Sequence, residues 1–199
     1  FYTPHQGGFR KGTGTTEALS YVTERWHFTM NRNSHCRKCH VVLCDVQKFF
    51  DRINRKSVIW KCAKQAGISG QLLLWISSFL ENRKQKVVDR FTGAESIWLD
   101  NDNGVPQGGV ISPLLALIFN NDLPLVLENK VTIYADDVAL WSEHEDEREQ
   151  IRSLNRDLEK LKLFSDQWSF DFHPKKFQWI TLAKAPSALP SYPDGSTMT

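Results

Sequence analysis

The chain has 199 residues, 41% of them hydrophobic and 24% charged, the balance of one globular domain, which excludes collagen-like and largely disordered chains. At this length a fold buries roughly 70% of the surface its unfolded chain exposes, so a core without disulfide or metal staples is expected. The formal net charge is +2, but residues 1–90 hold 16 Lys and Arg against 6 Asp and Glu, and residues 91–199 hold 9 against 17, a split that suits either a polyanion partner or two oppositely charged solvated faces.

In chain order, Cys36-Arg37-Lys38-Cys39-His40 has the spacing of a haem-attachment sequence and, with His35 and Cys44, contains zinc-ligand residue types. Haem is rejected because no axial ligand pattern accompanies it. A basic loop is expected there, with a zinc knuckle through Cys36, Cys39 and His40 as the alternative. Val41-Val42-Leu43-Cys44 is β-branched and apolar and reads as a buried strand that delivers Asp45 at its end. Asn54 is the expected cap of a helix carrying Val58, Ile59, Cys62, Ala63 and Ala66 on one face, with Gly67 as its stop. A second helix is expected from about Gln71 to Leu80, then strands at Val87-Val88 and Ser96 to Leu99.

Ser112 as cap and Pro113 at the first helical position open an apolar helix reaching Asp122. The apolar run Val110 to Phe119 falls well short of the roughly 18 residues a membrane-spanning helix needs, so no membrane partner is expected. Val131 to Trp141 reads as two strands meeting at Asp136-Asp137, a hairpin with acids at its tip. Ser142 and Glu145 form a capping box for a helix with Ile151, Leu154, Leu158, Leu161, Phe164 and Trp168 on one face. Strands return at Ser169 to Phe172 and Gln178 to Leu182. Trp60, Trp75, Trp141 and Trp168 are expected in the core. Residues 185–199, rich in Pro, Ser and Thr, read as a tail or linker after one domain over 1–184. This order predicts an α+β fold in which helices cover one face of an antiparallel sheet.

Three aspartates in two places carry the chemical interest. Asp45 and the pair Asp136-Asp137 stand among apolar residues, where an unpartnered carboxylate is costly. Mg²⁺ offsets such charges, and two ions about 3.5–4 Å apart can activate a hydroxyl and stabilise a leaving oxygen in phosphoryl transfer. Taken alone, the same acids fit a hairpin turn and a strand-end cap. Gly104-Val105-Pro106-Gln107-Gly108-Gly109 adds a glycine-rich turn before a helix, where backbone can approach a ligand closely.

Together these segments resemble reverse transcriptases, specifically the palm of the non-LTR retrotransposon (LINE-type) class and, more distantly, group II intron enzymes. The resemblance rests on Gln6-Gly7-Gly8-Phe9-Arg10-Lys11-Gly12, Asp45-Val46-Gln47-Lys48-Phe49-Phe50-Asp51, Gly104 to Leu115, Tyr134-Ala135-Asp136-Asp137 and His173-Pro174-Lys175-Lys176, in the family's order. Thr13, Gly109, His173 and Phe177 depart from the usual pattern, and none belongs to the acidic triad.

The resemblance implies a right-hand polymerase palm with partial fingers and no thumb, acting as an RNA-directed DNA polymerase. It implies that Asp45, the Val46 carbonyl, Asp136 and Asp137 hold two Mg²⁺ ions, with Mn²⁺ as a substitute. It implies that Phe50 excludes a ribose 2′ hydroxyl, that Gln107 and Gly108 line the template and nucleotide pocket, and that Arg10 and Lys176 meet phosphate. Phe50 also reads as a core aromatic, and Arg10 and Lys176 as surface charges. The implied partners are an RNA template, a DNA primer and a dNTP, together with the missing fingers and thumb of a parent polypeptide. Lys48, Arg52, Arg55, Lys56, Arg83, Lys84 and Lys86 are expected to meet nucleic-acid backbone. Beginning at Phe1, the chain is expected to be an internal segment. Its four cysteines suit a reduced intracellular setting, nuclear if the resemblance holds. The alternatives are an inactive or domesticated nucleic-acid-binding remnant and a zinc-binding interaction module.

Overall fold

The computed structural model describes residues 2–32 and 38–182. They form α1 (Thr15–Arg32), β1 (Cys39–Cys44), α2 (Phe49–Arg52), α3 (Arg55–Lys64), α4 (Gly70–Leu80), β2 (Lys84–Gln85), β3 (Leu99–Asp100), α5 (Ser112–Asn120), α6 (Leu123–Val126), β4 (Lys130–Tyr134), β5 (Asp137–Trp141), α7 (Glu147–Trp168), a 3-10 turn (Pro174–Lys176) and β6 (Gln178–Leu182). The expected tail at 185–199, together with His35 and Cys36, lies outside the described residues. The chain divides into two units, one from residues 1–47 and 120–199 and the other from residues 48–119.

The first unit is built on an antiparallel sheet of order β4-β5-β1-β6. Residues directly opposed across such a ladder point to the same face. Val41 opposes Trp141 and Ile180, and Leu43 opposes Ala139 and Gln178, so these side chains share one face. Thr132 opposite Ala139 and Tyr134 opposite Asp137 extend that face across β4. At one end it is covered by α1, whose Val22, Trp26 and Met30 pack on Cys39, Val41 and Trp141. His40 points the other way and meets α7, with its Nε2 3.4 Å from Glu147 Oε1. Covered from both sides, β1 is buried at every position but Leu43.

Helix α1 was not expected from the sequence. The expected capping box at Ser142 is displaced: Asp146 caps α7, its carboxylate accepting from Glu149 N at 2.9 Å, while buried Ser142 Oγ bonds Ser153 Oγ at 3.1 Å. The expected strand at Ser169 to Phe172 shrinks to one bridge, Val46 to Phe172, because Ser169 closes α7 in the left-handed conformation at φ 57°.

In the second unit, Asn54 caps α3 as expected, accepting from Ser57 N at 3.0 Å. Lys61 is fully buried and donates from Nζ to Phe119 O at 2.6 Å. Ser112 lies inside α5 rather than capping it, and its hydroxyl donates to Pro106 O at 2.6 Å. Strands β2 and β3 pair as a short hairpin extended by a bridge from Val88 to Glu95, displaced from the runs expected at Val87-Val88 and Ser96 to Leu99. Trp60 and Trp75 are half exposed rather than core, whereas Trp141 is fully buried.

Candidate active site

Strand β1 ends at Cys44, and the next residue on the Leu43 face is Asp45. Asp137 begins β5 two positions before Ala139 and shares that face, so the sheet register itself sets Asp45 and Asp137 side by side. A cleft of about 520 Å³ opens there, lined by Asp45, Thr132, Tyr134, Asp137, Lys176 and Gln178 among others. Asp136 occupies the turn between β4 and β5, directly after Ala135 in the left-handed conformation at φ 59°.

Lys176 reaches the cleft through a mismatch along the edge of β1. Gln178 opposes Leu43, yet His173 N donates to Asp45 O at 2.8 Å and Gln47 N to Asp171 O at 3.0 Å. Two steps on β1 thus face five on the other chain, and the surplus coils into the 3-10 turn Pro174–Lys176. That bulge sets Lys176 Nζ 2.9 Å from Asp45 Oδ2 and 3.3 Å from Oδ1. Because the bonds flanking Val46 run through Asp45 O and Gln47 N, the Val46 carbonyl points away from this ladder.

The carboxyl of Asp137 is held above its ordinary range, first by burial, then by repulsion from Asp136 and Asp45, against the lowering influence of Lys176. Three acids therefore feel one another with a lysine as their cationic neighbour. Among the described residues no three His, Cys, Asp or Glu side chains already converge as metal ligands, and Asp45 is engaged by Lys176. The donors are nevertheless those a hard divalent cation takes, carboxylate oxygens with a nearby carbonyl, and their mutual repulsion is the charge such a cation offsets.

Gln6, a residue the sequence reading did not single out as a site residue, is buried beside the tip. Its Oε1 accepts from Gly8 N at 2.8 Å and Ala135 N at 3.0 Å, and its Nε2 donates to Ala135 O at 3.2 Å. Arg10, expected to meet phosphate, donates from Nη1 to Thr3 O at 3.0 Å and Gln6 O at 3.1 Å. It braces the Gln6 loop.

Within the second unit, Gly104 N donates to Ile53 O at 2.9 Å and Val105 N to Phe50 O at 2.7 Å, joining the glycine-rich loop to the corner between α2 and α3. A Cβ on Gly104, at φ +80°, would lie 2.7 Å from Asp51 Cα and from the Phe50 and Asp51 carbonyl oxygens. Gln107 is exposed and donates from Nε2 to Asp51 Oδ1 at 3.1 Å, and Gly108 is exposed at φ +80°. Phe50 is partly buried, with its ring 5.5 Å from that of Phe49. Arg55 departs from expectation: it is buried and donates to the carbonyls of Asn101, Asn103 and Gly104 and to the Asn101 side chain. It holds the loop rather than facing a polyanion.

The sequence-predicted residues thus fall into two groups. Asp45, Val46, Asp136, Asp137, Lys176 and Arg10 lie in the first unit, and Phe50, Gln107 and Gly108 in the second. Of the suggested zinc ligands, Cys36 is outside the described residues. Cys39 and His40 are adjacent in β1 and point to opposite faces. Burial pushes the Cys39 thiol up to about 12 and lowers the His40 imidazole.

An antiparallel sheet carrying one acid at a strand end and two at an adjoining hairpin, with α1 on one face and α7 on the other, has the arrangement of a polymerase palm. In fold it is similar to telomerase from Candida tropicalis, with a TM-score of 0.67 at 12% identity over 95% of this chain and 38% of that one. Telomerase from Candida albicans, solved in complex with a fragment of telomeric RNA, gives a TM-score of 0.62 at 10% identity over 91% of this chain and 32% of that one. The family described as "Reverse transcriptase (RNA-dependent DNA polymerase)" matches residues 1–192, and the chain belongs to it, on the side of the non-LTR mobile elements. Among its relatives are the probable RNA-directed DNA polymerase from transposon BS of Drosophila melanogaster, 32% identical over 86% of this chain and 19% of the relative, and that of mobile element jockey of Drosophila funebris, 29% identical over 90% and 20%. The chain spans about a fifth of the length of these curated relatives.

Proposed function

We propose that this chain carries the polymerising centre of an RNA-directed DNA polymerase, which extends a DNA primer with dNTPs on an RNA template. The observation that carries the reading is the shared sheet face on which Asp45 and Asp137 meet, with Asp136 at the adjoining turn and Lys176 as counter-charge. Asp45, Asp136, Asp137 and the Val46 carbonyl are the residues that would hold two Mg²⁺ ions, with Mn²⁺ as a substitute. When bound, such ions lower the pKa of an attacking primer 3′ hydroxyl and offset charge on the departing pyrophosphate.

The remaining work falls to the chain's own side chains. Asp45 and Asp137 fix the negative field of the cleft through the sheet register, so orientation is set before substrate arrives. Lys176 sits on an exposed turn, with its side chain 59% exposed, and is free to exchange Asp45 for a triphosphate oxygen, where its ammonium can give up a proton. Phe50 would read the sugar of the incoming nucleotide, and Gln107 and Gly108 would face the template base and nucleotide. Arg10 supports the tip through the Gln6 loop.

Primer extension on poly(rA) with oligo(dT) tests the reading in the polypeptide that carries this chain. Extension that disappears in the Asp136→Asn, Asp137→Asn double variant is expected. Extension that survives the double variant contradicts the assignment.

A further inference from the structure

We propose that Gln6 is a positioning residue for Asp136 and Asp137, acting through the backbone of Ala135; this rests on the reading of those acids as the polymerising centre. Residues 5–7 run beside β4 as a short parallel edge, with Ile133 N donating to His5 O at 2.7 Å and Gly7 N to Ile133 O at 2.8 Å. The next rung of that ladder is missing from the backbone, because the chain turns away at Gly8. The Gln6 side chain supplies it. One amide group accepts from Ala135 N at 3.0 Å and donates to Ala135 O at 3.2 Å, standing in for the two successive peptide groups that a continuing strand would offer.

Ala135 needs that clamp. It holds φ 59°, a conformation that L-residues other than glycine adopt only at a cost, and it directly precedes the acids. The loop that carries Gln6 also packs directly against this peptide. Gly8 sits so near that a Cβ there would lie 2.3 Å from Ala135 N and 2.9 Å from Ala135 Cα. Gln6 is itself pinned, with its Oε1 also accepting from Gly8 N at 2.8 Å and its backbone oxygen accepting from Arg10 Nη1 at 3.1 Å. Arg10, Gln6 and Ala135 thus form a connected brace from the start of the chain to the acidic tip. Without the amide, the tip can relax toward ordinary turn geometry and the carboxylates lose their fixed aim. Misplacement by about 1 Å is enough to cost roughly a hundredfold in rate.

The test compares Gln6→Ala, Gln6→Ala with Ala135→Gly, and Val22→Ala, which removes α1 packing far from the tip and controls for lost stability. Amide hydrogen exchange and Mn²⁺ binding by EPR are read on the chain, and primer extension on the polypeptide that carries it. In Gln6→Ala the Ala135 amide should lose protection, Mn²⁺ should bind about tenfold more weakly than in Val22→Ala, and kcat should fall about a hundredfold with little change in KM for dNTP. Glycine reaches the left-handed region freely, so Ala135→Gly should restore at least about threefold of the lost rate. Gln6→Ala behaving like Val22→Ala in exchange, Mn²⁺ affinity and rate overturns the proposal. If the unaltered protein extends no primer while the exchange and Mn²⁺ differences hold, the polymerase reading fails and the bracing role of Gln6 stands.

Discussion

Replacing Arg55 by Ala should loosen the glycine-rich loop without weakening nucleic-acid binding through lost charge. The guanidinium donates from Nε to Gly104 O at 2.7 Å, from Nη2 to Asn101 Oδ1 at 3.0 Å and Asn103 O at 2.9 Å, and from Nη1 to Asn101 O. The Gly104 bond is buried and the others are part-buried. A buried charge-assisted bond contributes about 1.5–3 kcal/mol, and each part-buried one, where water can replace the lost donor, about 0.5 kcal/mol. The loss should therefore be about 3–4.5 kcal/mol, felt at the loop. Amide exchange at Gly104 and Val105, whose N–H groups bond Ile53 O and Phe50 O, reads it locally. At about 1.4 kcal/mol per tenfold, protection there should fall by at least about a hundredfold. The salt dependence of primer-template binding should be unchanged in Arg55→Ala, whereas Lys84→Ala should lower its slope by about one. A change in protection under about threefold would contradict the loop-holding role of Arg55, as would a salt slope reduced in Arg55→Ala.

Other outcomes follow from the same geometry. Burial raises the Cys39 thiol to about 12 and the Cys62 thiol to about 11, so the thiolate fraction at pH 8 is on the order of one in a thousand or less. Both should alkylate with iodoacetamide at least about a hundredfold more slowly than free cysteine until urea is added, and a rate near that of free cysteine contradicts their burial. Asp137 binds its proton more tightly folded than unfolded, so stability is lost as pH rises through its raised value. Asp137→Asn should raise the metal-free melting temperature by a few degrees at pH 7 and by nothing in acid, and a lower Tm at pH 7 counts against the crowding of acids. Lys176→Met removes the cation on Asp45 and should tighten Mn²⁺ binding severalfold while slowing extension by about tenfold. An unchanged extension rate leaves Lys176 no role beyond its ion pair.

What the sequence revealed follows local rules, and what it hid depends on register across the sheet. Val41 to Cys44 and Val131 to Trp141 are apolar enough to read as strands, so Asp45 and the Asp136-Asp137 tip were legible. Asn54 caps α3 through a bond within its own turn and was equally visible. Helix α1 is hard to see in the sequence because its mean composition is polar, although Val22, Trp26 and Met30 at fourfold spacing and Glu17, accepting from Gly14 N at 2.8 Å, mark a helix start and an inward-facing stripe. Ser142 looked like a cap because nothing local shows that Ser153 claims its hydroxyl. Trp60 and Trp75 sit among helical apolar residues, yet a hydrophobic neighbourhood in sequence does not fix which side of a helix is covered. The Lys176 contact arises from the three-residue surplus opposite β1, and the Gln6 clamp from a parallel pairing of residues 127 positions apart. Neither spacing is local, so neither could be read along the chain. For Arg10 and Arg55, basic character suggested phosphate, whereas the carbonyls they reach come from loop conformations that only the fold defines.

The location of the cation site can be read directly by Fenton cleavage of the chain, with Fe²⁺, ascorbate and peroxide generating radicals that cut backbone beside the bound ion. Cuts are expected close to Asp45 and to Asp136-Asp137, suppressed by excess Mg²⁺ and lost in Asp45→Asn. Cleavage confined to other segments, or cuts at these positions that persist unchanged in Asp45→Asn, would contradict the claim that these acids form one divalent-cation centre.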